Sequence, residues 1–508
     1  MSDASAARWV ARAWTLLATS SALYFLADNE ADNDLWVHVF TGRQILAHGA
    51  VPRIDDLSYT AAGLPWVDHE WLAQTAFAAL FDALGPTGLW LGKVVLALLT
   101  AGLIWRSVAR HSRSAWVRGP VLVLVFATLA RGYAIRPQIV TYFGVAALLA
   151  WLDGLGESRR RPATWLTVAL LAAGFALWAN LHGGFIVGLG ILALVAAAPH
   201  WGTDRSSAPD SSWPVRLRLA LLAAAVLAAC INPYGPSLFA YIAGELFAPH
   251  PLTEWQPVHP GDAAHAPFLL LLVGTVATVP FAATLRRRPW RAALVAIVAV
   301  MAVRHQRHIP LFALCAAAPF GEQAEGALAW ARARTAFRLS APAAAAVAVA
   351  LICLALVQVG VLSTRVWDAR GAVVYSASDY PVGALRYLRA REMQGNLALP
   401  LDWGGYALWH AAPTVRVSMD GRFATVYPPA VVEDNFAFFR GDGSPGASRL
   451  LDAYDTTLAL VPRGIVTPLA GRAGWQRVYA DSVATLYSKT AAPDAGSAEP
   501  PQGWLPFP

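Results

Sequence analysis

Charged residues are scarce in this chain: 14% of 508 residues, against 56% hydrophobic ones. So apolar a balance excludes an ordinary soluble globular enzyme. Cysteine is nearly absent too. Cys230, Cys315 and Cys353 lie in or beside apolar stretches without paired spacing, which excludes a disulfide framework and a zinc motif. Neither an internal repeat nor a charge at the middle of an apolar run is seen, and both are features expected of many transporters. What the chain has instead is a series of apolar runs of near-spanning length. Its formal net charge of +7 sits in the short loops between them, where positive charge orients a membrane protein and gives no reason to invoke nucleic acid.

The apolar runs predict about eleven membrane spans, at residues 9–27, 88–107, 119–134, 137–153, 164–181, 184–199, 217–231, 267–285, 291–304, 309–321 and 340–362. The first is expected to remain as an uncleaved helix, because the loop from Asp28 onward reads as functional and tied to it; a cleaved signal peptide is the alternative. Arginines mark alternate loops: Arg8 and Arg12; Arg106 to Arg118; Arg159 to Arg161; Arg205 to Arg218; Arg286 to Arg291; Arg332 to Arg338. The positive-inside rule makes those loops cytoplasmic, so the N-terminus is expected inside and the chain from about Arg365 outside.

The outer loops hold the chemically versatile residues. The first, from Asp28 to about Thr87, carries Asp32-Asn33-Asp34-Leu35-Trp36-Val37-His38 and Asp68-His69-Glu70-Trp71, with helical periodicity over Leu35 to His48 and Glu70 to Leu84. Both stretches are too short to span and are expected as helices at the membrane surface. Asp34 reads either as a helix cap or as part of a site, and the second acidic cluster closing the same loop favours the site. His69 and Glu70 divide in the same way, between a helix start and chemistry. Later outer turns bring Arg131 to Gln138, Asn180 to Gly184, Asn232-Pro233-Tyr234-Gly235, Glu254-Trp255 and Arg304-His305-Gln306-Arg307-His308. Arg304, His305, Arg307 and His308 form a dense cationic cluster suited to phosphate oxygens, where snorkelling better explains single basic residues. Arg136 poses that choice more weakly, and His182 reads first as part of a hairpin turn.

Residues 363–489 change texture. Strands are expected at Asn396 to Leu401, Thr414 to Ser418, Thr457 to Val461, Gln476 to Ala480 and Ala484 to Ser488, with helices at Pro428 to Arg440 and Ser448 to Tyr454. This is a small α/β domain outside the membrane, following a transmembrane domain of residues 1–362 that includes the first outer loop at 28–87. Trp403-Gly404-Gly405-Tyr406 and Asp420-Gly421-Arg422 read as strand-end loops. Residues 490–508, rich in Pro, Gly, Ala and Ser, are expected to be disordered.

This arrangement resembles the GT-C superfamily of integral-membrane glycosyltransferases, which includes protein O-mannosyltransferases, oligosaccharyltransferases and aminoarabinose transferases. The strings Asp34-Leu35-Trp36-Val37-His38 with Thr41-Gly42-Arg43, Trp66 to Leu72, Arg136-Pro137-Gln138, Trp178 to Gly183, Asn232 to Gly235 and Asp420-Gly421-Arg422 are similar to a set of bacterial membrane proteins grouped with such enzymes. The resemblance implies a GT-C-like helical bundle with a C-terminal α/β domain. It also implies a polyprenyl-phosphate-linked sugar donor and transfer to a glycan, lipid or protein acceptor, with inversion, at the outer face of the bacterial cytoplasmic membrane. Asp34 is then the expected base, with Glu70 and His69 second, and Arg304, His305, Arg307, His308, Arg136, His182, Trp36 and His38 are expected on substrate. A divalent metal on Asp34, His38 or Glu70 lacks a diagnostic spacing. A lipid-linked sugar flippase and a non-catalytic envelope-assembly scaffold are the alternatives.

Overall fold

The computed structural model describes residues 3–157, 164–198, 214–247, 251–335, 340–367, 372–441, 446–469, 471–490 and 501–508. The arginines expected inside at 159–161, 205 and 338 lie outside them. The described chain is that of a polytopic α-helical membrane protein with a small C-terminal α/β domain. It divides into two compact units: residues 1–28, 90–236 and 247–368, and residues 29–89, 237–246 and 369–508.

The first unit is helical. Each expected span has its helix: Asp3–Leu26, Pro86–His111, Ala115–Leu129, Gln138–Glu157, Thr164–Leu181, Phe185–Ala197, Val215–Ala229, Ala266–Ala277, Pro289–Arg304, Ile309–Arg334 and Ala341–Trp367. Three stretches, Pro86–His111, Ala115–Gly132 and Ala341–Val366, are long and apolar enough to cross a bilayer by length and composition alone. The others are shorter or less apolar; the 13 residues of Phe185–Ala197 rise only about 20 Å at 1.5 Å each.

Helix contacts in this unit use small residues and paired polar groups, as packing between helices in lipid requires. The first and last helices meet through Val10, Ala13, Ala344 and Ala348. Farther along the same pair, Ser20 donates to Gln358 Oε1 at 2.6 Å and Gln358 Nε2 donates to Ser21 Oγ at 3.1 Å. Buried Asp153 takes Arg288 at 2.9 Å and also pairs with Arg291.

The second unit is built on a five-stranded mixed sheet. Its strands and a separate pair are β1 (Val374–Ser376), β2 (Gly395–Ala398), β3 (Val415–Val417), β4 (Leu458–Pro462), β5 (Gln476–Ala480), β6 (Ala484–Ser488) and β7 (Trp504–Pro506). The order is β3-β2-β4-β6-β5, parallel across β3, β2 and β4 and antiparallel across β4, β6 and β5. All five sheet strands are the expected ones. The other two were not foreseen: β1 pairs antiparallel with β7, Val374 opposite Pro506.

That pair corrects the expected disordered tail over its last residues. Residues 491–500 lie outside the described residues, whereas Trp504–Pro506 forms a strand and Phe507 is 1% exposed. Burial of a large aromatic ring outweighs the turn-forming composition around it. A second correction concerns Trp403 to Tyr406, which lie in a helix, Leu401–Ala411. A Cβ on Gly404 would stand 2.1 Å from the Met419 carbonyl oxygen and one on Gly405 3.2 Å from Trp36 Cβ, so Gly404 lets this helix lie on the turn after β3 and Gly405 lets it lie on the start of the Leu35–His48 helix.

The first outer loop belongs to this second unit and not, as expected, to the transmembrane domain. Its helices Leu35–His48 and Trp71–Leu84 form where periodicity placed them, each closed by a glycine at positive φ, Gly49 and Gly85. They cross closely, since a Cβ on Gly42 would stand 2.0 Å from Gln74 O. The first of them is no surface helix over its N-terminal half. Leu35 to Val39 are buried by protein.

Candidate active site

Asp34 stands immediately before the Leu35–His48 helix, half-buried, and its side chain makes no capping hydrogen bond. Its backbone N–H donates to Asp32 Oδ1 at 3.0 Å. The carboxylate is placed instead against the Asp420-Gly421-Arg422 turn: a Cβ on Gly421 would fall 2.1 Å from Asp34 Oδ1. Only a bare Cα leaves room for that oxygen.

The turn that holds Asp34 is fixed by a buried charge cluster. Arg422 is clamped by Asp420 Oδ2 at 2.7 Å and Asp55 Oδ1 at 2.6 Å, its guanidinium 4.7 Å from the centre of the Trp66 ring. Tyr427 donates to Asp420 Oδ2 at 2.8 Å. Although burial opposes ionisation, Arg422 and these hydrogen bonds hold the Asp420 carboxyl below its usual range. Asp55 comes from the outer loop and Arg422 from the C-terminal domain, so this ion triad ties the two segments within one unit.

One helical turn past Asp34 is His38, whose Nε2 lies 4.0 Å from Glu70 Oε2; His69 Nε2 lies 3.8 Å from Glu70 Oε1. Glu70 therefore sits between two imidazoles. The His69 ring also packs 5.6 Å from Tyr241. Beneath them Asp68 is 2% exposed and accepts Gln74 Nε2 at 2.9 Å. Burial, and then the neighbouring Glu70 carboxylate, push Asp68 up to about 7. Asp68 was visible only as part of a motif, and its depth came from the fold. Among the described residues, no group of three or more His, Cys, Asp or Glu side chains is arranged to hold a metal ion.

Trp36, expected on substrate, is 0% exposed. Tyr375, Tyr406 and Phe507 pack around it with ring centroids 5.1, 4.8 and 4.3 Å away. It is the aromatic anchor of the outer loop and has no face for a sugar.

The cationic residues of the first unit gather around a carboxylate. Glu254 receives Arg136 Nη1 at 3.4 Å on one oxygen and Arg307 Nη1 at 3.4 Å on the other, and the Arg307 guanidinium lies 4.2 Å from the Trp255 ring centre. His305 Nδ1 meets Trp255 O at 2.6 Å. Burial, then Arg307 and His305, push His308 down to about 3, so it is a neutral imidazole here rather than one of four cations. Arg304 is exposed at the end of its helix and joins no ion pair among the described residues. His182 holds its hairpin together, with Nδ1 2.8 Å from Thr141 Oγ1 and accepting Gly184 N–H at 2.9 Å. Glu254 carried no signal beyond its position in an outer turn.

No protein-family model matches the sequence, and no curated protein is significantly similar to it. Solved structures are. The oligosaccharyltransferase of Archaeoglobus fulgidus in its apo form aligns with TM-score 0.55 at 12% identity, over 89% of this chain and 69% of that one. The same enzyme tethered to an acceptor peptide containing the NVT sequon aligns with TM-score 0.56 at 14% identity over the same shares. ArnT of Cupriavidus metallidurans bound to undecaprenyl phosphate aligns over 95% of this chain and 98% of that one at 13% identity, with TM-score 0.49. The chain has the GT-C fold expected of it.

Proposed function

We propose that this protein is a GT-C glycosyltransferase that moves a sugar from a polyprenyl-phosphate-linked donor to a glycan, lipid or protein acceptor. The reaction takes place at the outer face of the bacterial cytoplasmic membrane, with the N-terminus inside and the C-terminal domain outside. The observation that carries this reading is the seat of Asp34: a half-buried carboxylate set against a glycine in a turn locked by Asp55, Arg422 and Asp420. Such positioning is what a general base needs.

In this reading Asp34 takes the proton of the acceptor hydroxyl, and the freed oxygen attacks the anomeric carbon from the face opposite the phosphate. The bond between that carbon and the phosphate oxygen breaks, and the phosphate leaves with its electron pair, inverting the centre. Glu70, flanked by His38 and His69, orients the acceptor or serves as the second acid–base group. Arg136 and Arg307 bind the departing phosphate, exchanging their shared Glu254 carboxylate for its oxygens. His305 and His308 offer hydrogen bonds beside them.

The test is transfer from the labelled lipid-linked sugars of the native membrane, with purified protein in vesicles. Asp34→Asn is expected to lower the rate by about 10² to 10⁴ at an unchanged melting temperature. Full transfer by a folded Asp34→Asn protein removes the proposal. Independently, Arg136→Gln with Arg307→Gln is expected to weaken capture of undecaprenyl phosphate at least about tenfold.

A further inference from the structure

In the second unit, the Val382–Ala390 helix, the Leu401–Ala411 helix and the segment around β7 line a half-open cavity of about 320 Å³. That volume is within the range of small-molecule sites, about 300–1,000 Å³. None of Asp34, Glu70, His69, Arg136 or Arg307 lines it.

Its wall has two chemistries. Arg386 and Arg389 stand three residues apart on one helix, hence on one face of it, and both are exposed at the opening. Neither makes an ion pair among the described residues. Two guanidiniums on one helix face, paired with no carboxylate among the described residues, leave a local positive field, and their planar donor forks match carboxylate and phosphate oxygens. The same field, after burial, pushes His410 down to about 4, so the ring stays neutral; its Nε2 has no hydrogen-bond partner among the described residues. Inside the rim the wall is aromatic: Tyr375, Tyr406 and His410, with Tyr406 and His410 ring centroids 4.3 Å apart.

We infer that this cavity binds a sugar unit bearing an anionic group, carboxylate or phosphate, with Arg386 and Arg389 on the anion and the Tyr375–Tyr406–His410 wall against the ring. The anion follows from the two guanidiniums, which meet no carboxylate among the described residues; the sugar half rests on the glycosyltransferase reading. The wall has a second contact. Tyr375, Tyr406 and His410 also pack on Trp36, two residues from Asp34. A ligand seated there therefore touches the residues that hold the base's helix, and binding a remote unit of the substrate in this way is able to raise turnover as well as affinity.

The experiment is binding of four probes to the full-length protein in detergent, followed by saturation-transfer NMR: glucuronate, glucose 6-phosphate, glucose and inorganic phosphate. At least one of the two sugar acids is expected to bind, with transfer to its ring protons, and which of them binds more tightly identifies the anion. Glucose and inorganic phosphate are expected to bind at least about tenfold more weakly, and Arg386→Gln with Arg389→Gln to cost the sugar acid at least about tenfold at an unchanged melting temperature. Retention of binding by Arg386→Lys with Arg389→Lys, which keeps the charge, supports the assignment and separates it from loss of fold. Three results overturn it: no binding of either sugar acid up to about 10 mM, binding indifferent to the glutamine pair, or inorganic phosphate binding as tightly as the sugar acids. Failure here leaves the dependence of transfer on Asp34 untouched. Conversely, if sugar acids bind while Asp34→Asn retains transfer, the catalytic reading falls and the cavity stands.

Discussion

A carboxyl group with its proton held to about pH 7 makes a pH-dependent contribution to folding. Asp68 is that group: buried, beside Glu70, and shifted up from 3.8. The folded protein keeps the proton that the unfolded chain releases near 3.8, so folding is favoured below that pH, and the advantage is lost as pH rises through about 7. The melting temperature of the wild type is therefore expected to fall between pH 5 and pH 8. Asp68→Asn, neutral throughout, is expected to flatten that slope and to melt above the wild type at pH 8; parallel slopes for the two proteins count against the assignment. Gly421 gives a sharper residue-scale prediction. An Ala side chain there meets Asp34 Oδ1 at 2.1 Å, and the short Asp side chain has to turn away. Gly421→Ala is expected to lose most transfer activity, on the order of 10²-fold, with little change in stability, because what it displaces is the base. Asp34 stood out in the sequence through its place after the first span. Its contact with residue 421 did not, since nearly four hundred residues of chain separate them.

Elements were legible wherever apolar periodicity was strong. The five sheet strands and both outer-loop helices formed close to their predicted places, and every expected span has a helix, although the one expected at 267–285 ends at Ala277 and the one expected at 309–321 runs on to Arg334. The misses have physical reasons. Trp403 to Tyr406 read as a loop because two glycines disfavour helix; here they permit the close approach that makes the helix fit. The tail read as disordered because its composition is polar and turn-rich, and β7 forms only when β1 offers its edge. Two predictions belong at this scale. Removing Arg422 leaves Asp55 and Asp420 buried without their cation, so Arg422→Ala is expected to cost about 3–5 kcal/mol in thermal or denaturant unfolding of the protein. Arg422→Lys is expected to recover only part of that, because one ammonium does not reproduce a fork spanning two carboxylates. Phe507→Ala empties a buried site against Trp36 and is expected to cost about 3 kcal/mol. A Phe507→Ala protein as stable as the wild type would show that the tail contact contributes nothing.

At the scale of the whole molecule, hydropathy assigned the outer loop to the bundle by sequence adjacency, whereas its ion triad and aromatic anchor join it to the C-terminal domain. Contacts between segments so far apart leave no periodic trace, which is why that grouping was not readable in advance. The expected orientation rests on a count of arginines in short loops and not on packing, so it has to be tested apart from the fold. It yields a test that needs neither substrate nor activity. Arg287 ends the short Ala283–Arg287 helix in an arginine-rich connection and is exposed; Asp455 is exposed in the α/β domain. On the proposed topology of about eleven crossings the two belong to opposite compartments. A cysteine replacing Asp455 is therefore expected to react with a membrane-impermeant maleimide in intact spheroplasts, and one replacing Arg287 only after the membrane is opened. The protein lacking its three native cysteines supplies the background. The reverse pattern would place the domain that carries Asp34, Glu70 and the sugar-acid cavity in the cytoplasm, where an outer-face acceptor never reaches it. Labelling of both in intact spheroplasts would require one crossing fewer or more than the arginines demand, and the proposed sidedness would fall with it.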